Sequence, residues 1–443
     1  FRYVFEAPTN LESSFITALI LALIITPIHS IRDLPFLAAA GGLAISSKYI
    51  LAIGKKHVFN PAAIAVVLTA FGASQAASWW VGNGAMLPYV LIGGLLLIRK
   101  LRRFRLAIVF TITTVTATLG LALLAGHGFD TVQRLVVLSP LVFFATVMLT
   151  EPLTMPGTAG NQTWYAMLAG ILFAPQVHVG SLYSTPELAL VVSNVFSYLV
   201  NPKFKLMPKL QDKVKLAPDT MDFVFVPEKP IEYKPGQYTE WTLPHDGADA
   251  RGVRRYFTLA SSPTEPTLRL GVKFYPNGSS FKGALQAMNR RSLISTTHVA
   301  GDFVMPEDVS RKLAFIAGGI GVTPYRSMIK YLVDTNEKRD AILLYSEKNR
   351  QELVYTDVFE EARAQLGIKT TYFLTAATTQ TDDLRLRYSL ITPEAIKAEI
   401  PDYAERLFYL SGSHPMVKAM EHNLHQLGVS MSQIKTDYFP GYV

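Results

Sequence analysis

KLAFIAGGIGVTPYRSMIKYLVD, residues Lys312 to Asp334, decides the fold of the C-terminal half. A short apolar run is followed by Gly318, Gly319 and Gly321, then by Thr323-Pro324 and an amphipathic stretch. That order predicts a buried strand, a tight turn and a helix whose N-terminus faces the turn. Glycines there let the backbone approach a phosphate closely, and the helix start supplies N–H groups to it. Downstream the alternation continues through DAILLYSEK (340–348), TDVFEEARAQLG (356–367), KTTYFLTAA (369–377), TPEAIKAEI (392–400) and ERLFYLSGSHPMVKAMEHNLHQLG (405–428). Strands alternating with helices imply an open parallel α/β sheet, here of about five strands.

Upstream the period changes to two. FKLMPKLQDKVKL (204–216), MDFVFVPEK (221–229), KPGQYTEWTL (234–243) and LRLGVKFYP (268–276) read as short strands with Pro-Gly, Pro-Asn-Gly and Asp-Gly turns. Such a series suggests a small antiparallel barrel. Within it RRYFTLASSP (254–263) concentrates arginine, aromatic rings and hydroxyls, and NGSSFKGAL (277–285) places Gly278, Ser279 and Ser280 before a helical stretch opening with Phe281.

These motifs resemble the ferredoxin–NADP reductase superfamily, whose Arg-x-aromatic-Ser/Thr-x-x-Ser signature matches Arg255, Phe257, Thr258 and Ser261, with Tyr256 between them. The resemblance implies a bound FAD. Arg255 would hold its phosphate, Phe257 would pack on its ring and Thr258 would bond at N5. Gly278, Ser279, Ser280 and Phe281 would receive the pyrophosphate. It also implies an NAD(P)H site on Gly318, Gly319, Gly321, Thr323 and Pro324. SGSHPM (411–416) would be its second loop, bringing Ser411, Gly412 and Met416 to the nicotinamide. Ser411 stands where the family commonly has cysteine. The ribose would be read at Ser346, Lys348 and Arg350. Glu347 beside them favours NADH and the basic pair favours NADPH, so both donors stay open. The aromatic terminus TDYFPGYV (436–443) offers Phe439 and Tyr442 as rings to lie against the flavin. Thr258, Ser411 and Tyr442 are the expected catalytic residues.

The first 200 residues differ in kind. No Asp, Glu, Lys or Arg occurs from His57 to Ile98 or from Leu106 to Phe129, whereas charges are frequent after Leu206. Spans of roughly 20 apolar residues cross a bilayer. Eight are expected, at about 13–30, 34–53, 58–76, 84–98, 106–126, 133–149, 162–178 and 185–201, the third and fourth being short or broken. Lys55-Lys56, RKLRRFR (99–105) and Lys203, Lys205 and Lys209 then fall on one side, the cytoplasmic one by the positive-inside rule. The net charge of +8 is therefore a topology signal rather than a sign of nucleic acid. The chain begins with Phe1, and no cleavable signal is recognised in it. With no cysteine, disulfides and cysteine-held clusters are excluded. His29, His57, His127 and His178 lie near helix ends and do not pair as haem ligands would. No metal site is expected.

GKKHVFNPAAIAVVL, WWVGNGAMLPYVLIGGLLLIRKLRRF and LTEPLTMPGTAG resemble the B/D membrane subunits of the sodium-pumping NADH:quinone reductase and Rnf complexes, over residues 35–200. That implies a second flavin, FMN or riboflavin, near Asn60, Thr154 and Thr158. The family's Ser-Gly-Ala-Thr flavinylation motif is absent, and Asn60 before Pro61 also reads as a plain helix cap. No acidic residue falls mid-span, where ion coupling would be expected.

The expected architecture is a polytopic α-helical membrane domain (1–203) fused to an FAD-binding antiparallel β-barrel (204–307) and an α/β parallel-sheet NAD(P)-binding domain (308–443). The expected function is a multi-pass inner-membrane flavoprotein with its reductase half cytoplasmic. It would pass electrons from NAD(P)H through FAD to a membrane flavin, a quinone or an extracytoplasmic acceptor, among lipid and other membrane subunits. The alternative is a tethered ferredoxin- or flavodoxin-type reductase whose membrane half only anchors it. A nucleotide-sensing transporter is the third reading.

Overall fold

In a computed structural model the protein is described over residues 11–27, 30–53, 56–201, 205–376 and 383–437. The chain forms two compact units, Phe1–Phe204 and Lys205–Val443.

The first unit is helical: α1 (Leu11–Ile24), α2 (Leu34–Ile50), α3 (Pro61–Ala73), α4 (Leu87–Leu101), α5 (Phe104–Leu124), α6 (Asp130–Leu138), α7 (Leu141–Met148), α8 (Ala159–Phe173) and α9 (Pro186–Val200). Its centre is aromatic, with Phe144 4.9 Å from Phe173 and 5.1 Å from Phe110 between ring centroids. Gly94 lets α4 pack directly on Thr146 of α7. The outer faces are apolar too: Phe15, Leu19, Phe71, Leu96, Ile112 and Leu124 are 61% to 87% exposed.

Of the eight expected spans, among the described residues only α5, with 21 residues, is long and apolar enough to cross a membrane by itself. α6 and α7 together would make one broken span, bent by 63° at Ser139-Pro140. Proline cannot donate the helical N–H, which explains the break. The others run 13 to 17 residues. At about 1.5 Å per residue a 15-residue helix reaches only ~22 Å, against ~30 Å of hydrocarbon.

In the second unit, β1 (Lys205–Leu206), β2 (Lys209–Ala217), β3 (Thr220–Val226), β4 (Tyr238–Thr242), β5 (Arg254–Thr258), β6 (Leu268–Lys273) and β7 (Ser295–Ala300) form two antiparallel sheets, ordered β6-β3-β2 and β1-β7-β4-β5. Phe225 and the fully buried Trp241 join them, 4.9 Å apart. Helix α10 (Ser280–Ala287) lies between β6 and β7 in the chain.

The remaining strands form one parallel sheet in the order β11-β10-β9-β8-β12-β13. These are β8 (Leu313–Gly318), β9 (Ala341–Glu347), β10 (Lys369–Leu374), β11 (Leu386–Arg387), β12 (Leu407–Ser411) and β13 (Ile434–Asp437). Helices α11 (Thr323–Thr335), α12 (Thr356–Leu366), α13 (Pro393–Glu399) and α14 (His414–Gln426) connect them. β8 is buried along its length except at Gly318, as its continuous apolar run requires. The sheet has six strands rather than about five, because the polar-looking stretch Ile434–Asp437 adds an edge strand beside β12.

Barrel and sheet are clamped by charge. Arg326 of α11 is 5% exposed, grips both carboxylate oxygens of Glu265 and donates to Ala260 O at 3.0 Å. Arg269 extends the network to the buried Asp222 at 2.7 Å. Gly271 of β6 has no room for a side chain, since a Cβ there would come within 2.5 Å of Tyr355 Oη.

Candidate functional site

β5 presents alternate residues to opposite faces. Arg255 and Phe257 share one face and meet Phe281 of α10. The Phe257 and Phe281 rings are 6.0 Å apart, and the Arg255 guanidinium stands 5.3 Å from the Phe281 centroid. This places a cation and an aromatic surface together, as a flavin nucleotide needs. α10 begins beside them, capped by Ser279, whose Oγ accepts from Lys282 N–H. Burial, then Arg255 nearby, lower the Lys282 ammonium below its usual range.

Two residues of the expected signature do other work. Tyr256 lies on the opposite face, its hydroxyl donating to Glu240 at 2.9 Å and its ring meeting Tyr238 edge-on. Ser261 is buried, and its Oγ accepts from Tyr233 Oη at 3.0 Å and from Arg269 N–H at 3.2 Å. Its hydroxyl fastens the barrel rather than reaching the Arg255 face.

Thr258, at the end of β5, is 6% exposed, and its Oγ1 donates to Asp437 Oδ2 at 3.2 Å. Asp437 ends β13, where it pairs in register with Ser411, and Ser411 pairs with Ala317 of β8. The barrel's hydroxyl, the second loop's serine and a carboxylate therefore converge on the sheet's C-terminal edge. Burial pushes the Asp437 carboxyl up to about 7. Asp437 has no counterpart among the expected residues. Ile434-Lys435-Thr436-Asp437 has one apolar residue followed by three polar ones, so no alternation marked it as strand. Phe439 and Tyr442 lie outside the described residues.

The two glycine loops are packed back to back. A Cβ on Gly321 would fall 2.5 Å from Gly412 Cα, and one on Gly318 would meet Met416 Sδ at 3.0 Å. Met416 is thus a wedge between the loops. Gly319 has φ 59°, and Glu347 Oε1, 3.6 Å from where its side chain would start, is its nearest neighbour. The backbone is open there, which fits a closely approaching diphosphate. Thr323 Oγ1 is spent on Ile320 O at 3.2 Å, and Pro324 lies in the first turn of α11. These two shape the turn instead of offering side-chain groups to a ligand.

Ser346 is half-buried, paired with Gly318 across β8 and β9. The acidic and basic ribose candidates separate. Glu347 is 7% exposed and paired with Lys273 of the barrel at 3.3 Å, whereas Lys348 and Arg350 are exposed. Burial raises the Glu347 carboxyl, and Lys273 opposes that. Lys273 also holds Glu352 at 2.7 Å.

In the first unit Asn60 caps α3 by accepting from Ala63 N–H at 3.0 Å. Its amide donates to Glu151 Oε2 at 2.8 Å, and Thr154 Oγ1 donates to the same oxygen at 3.0 Å. Asn194 Oδ1 accepts from Asn60 N–H at 2.8 Å. Asn60 and Thr154 are thus committed to this network, and Thr158 caps α8 without a side-chain bond. Among the described residues no group of acids and histidines could hold a metal.

Comparison with known proteins finds similarity in this half of the chain. The family described as "Oxidoreductase NAD-binding domain" matches residues 315–422. The glycine betaine monooxygenase reductase subunit of Chromohalobacter salexigens is 25% identical over 51% of this chain and 62% of its own. The propane 2-monooxygenase reductase component of Rhodococcus jostii is 27% identical over 51% and 62%. A flavohemoprotein of Oceanobacillus iheyensis is 26% identical over 52% and 58%. The chain therefore spans less than two thirds of the length of these relatives. Among solved structures, an Amycolatopsis cytochrome P450 reductase aligns with TM-score 0.47 and 22% identity over 54% of this chain and 71% of that one.

The C-terminal half is an NAD(P)H-dependent, FAD-containing oxidoreductase domain. FAD, when bound, supplies acceptance of an electron pair from the reduced nicotinamide. The residues placed to hold such a cofactor would be Arg255 and Phe257 with the start of α10, and those placed to hold a dinucleotide would be the two glycine loops; Thr258 bonds Asp437, which pairs in register with Ser411.

Proposed function

We propose that the chain is a membrane-held NAD(P)H:acceptor reductase, which takes electrons from the nicotinamide onto FAD and delivers them to a separate acceptor protein. The observation that carries this reading is the convergence of Thr258, Asp437 and Ser411 between barrel and sheet. Arg255 is the flavin's phosphate anchor, with Ser279 and Ser280 at the α10 N-terminus. Gly318, Gly319, Gly321 and Gly412 receive the dinucleotide, Ser346, Lys348 and Arg350 border its ribose, and NADH and NADPH are both candidates. The relatives named as reductase components support delivery to a partner. Arg255→Ala should reduce FAD occupancy of the purified protein by at least about tenfold, because a charge-assisted contact to phosphate is lost. Unchanged flavin-to-protein ratio and activity would sink the assignment.

The first unit is proposed as the membrane anchor, with several of its short helices in the bilayer and the reductase domain on the cytoplasmic side of the inner membrane. Its exposed apolar faces support this, since soluble monomers rarely carry contiguous patches of that kind. A second reading sends electrons through this unit to a quinone, a membrane flavin or an extracytoplasmic acceptor. The buried polar groups favour it: Glu187 is 2% exposed and accepts from Trp79 Nε1 at 2.8 Å, and Glu151 holds Asn60 and Thr154. Ionisable groups in apolar surroundings are more often functional than incidental. A flavin bonded by Asn60 or Thr154 would first have to release them from Glu151. The readings separate kinetically. Under the first, a chain beginning at Lys205 reduces a soluble acceptor as fast as the whole protein. Under the second, the whole protein in lipid reduces a quinone and the shortened chain does not.

A further inference from the structure

The segment joining β4 to β5 is closed at its ends by Leu243 N–H donating to Val253 O at 3.0 Å. Inside it stand two glycines with left-handed backbone, Gly247 at φ 67° and Gly252 at φ 68°. Between them Asp249 reaches the first turn of α10. Its Oδ2 accepts from Ser280 N–H at 2.9 Å, and its own N–H donates to Ser280 Oγ at 3.0 Å. The same carboxylate holds Arg251, with Nε at 3.0 Å, Nη2 at 2.8 Å and the Arg251 N–H on Oδ1 at 2.9 Å. His245 Nδ1 lies 2.8 Å from Leu243 O, which places its proton there, so Nε2 accepts from Ser280 Oγ at 3.0 Å. The next residue of the helix, Phe281, carries the Arg255 guanidinium over its ring.

We propose that Asp249 is a latch on the flavin site, whose carboxylate occupies the anion position at the start of α10 and holds Arg251 until the FAD diphosphate displaces it. This rests on the reading that FAD binds along Arg255 and α10. An N–H group at a helix start favours any anion, and a carboxylate there takes the place a phosphate would take. The two cannot share it, because a diphosphate in contact with the Asp249 carboxylate would meet like charge at a site only 27% exposed on the aspartate side. The glycines on either side give the segment the backbone freedom to swing away. As it does so, Arg251 passes from a carboxylate to a phosphate and becomes a second cation beside Arg255, with no net loss of charge-assisted bonds. FAD binding is then an exchange of anions, and its affinity is set lower than the cation pair alone would give.

The test is FAD affinity of the whole protein in detergent, stripped of flavin and titrated with FAD by flavin fluorescence. Relative to the wild type, Asp249→Asn and Asp249→Ala should bind FAD about tenfold more tightly, the equivalent of one freed charge-assisted bond. Arg251→Ala should bind it more weakly. Equal or weaker binding by both Asp249 variants overturns the latch and makes Asp249 a fixed cap. Hydrogen exchange of the wild type decides independently of any variant: residues 244–252 should lose protection when FAD binds, and a gain would overturn the proposal. A wild-type protein that takes up no FAD removes the flavin reading itself, which distinguishes that failure from failure of the latch alone.

Discussion

Asp437 ties the parallel sheet to the barrel, because it ends β13 and accepts from Thr258 Oγ1 at 3.2 Å. Arg255, Phe257 and Thr258 are legible as one motif because they lie on one strand. Asp437 reaches Thr258 only through the pairing of β13 with β12, a contact 179 residues away in sequence. Ser261 is read differently for the same reason: its partners, Tyr233 in the loop before β4 and Arg269 of β6, lie outside that motif. Burial holds the Asp437 carboxyl up at about 7, so it is neutral below that pH and ionised above it. An unfolded aspartate titrates near ~3.9. The contribution is therefore present at acid pH and is lost as pH rises from about 4 through 7, and Asp437→Asn should flatten that part of the stability profile. Reduction of the flavin by nicotinamide should show an ionisation near pH 7 that the substitution removes, with a rate lowered by roughly 10- to 100-fold. Stopped-flow absorbance across pH 5–9 checks it. A profile that Asp437→Asn leaves unchanged would mean that the carboxylate only supports packing.

At the scale of elements, the β8–turn–α11 unit was readable in full, since strand, glycines and helix start are contiguous in sequence. The sixth strand was not, because four residues with three polar side chains, Lys435, Thr436 and Asp437, carry no strong period. The spans were legible as apolar runs but not as lengths. Ser139-Pro140 bends one by 63°, and hydropathy averages over such a break. The clamp between α11 and the barrel was also invisible, because Arg326 on an amphipathic helix looks like a surface residue. In the fold it is 5% exposed and doubly bonded to Glu265. Removing one partner of a buried pair leaves the other charge uncompensated, at a cost of about 3–5 kcal/mol. Arg326→Ala should lower the denaturant midpoint of the second unit accordingly and loosen barrel from sheet. A loss under about 1 kcal/mol would show that the pair is solvated.

For the whole molecule, composition already divided the chain near residue 204, where charge becomes frequent, and the two compact units meet at the same place. What each unit does was unequally legible. The reductase half uses local motifs with fixed chemistry. In the helical half Asn60 and Thr154, expected beside a second flavin, both donate to Glu151. The central claim is that this chain reduces its own FAD with a nicotinamide nucleotide. The most direct measurement is an anaerobic visible spectrum of the full-length protein, titrated with NADH and separately with NADPH. The account predicts a flavin spectrum bleached stoichiometrically by one of them, which also fixes the donor. A protein without flavin, or a flavin that neither nucleotide bleaches, would contradict it.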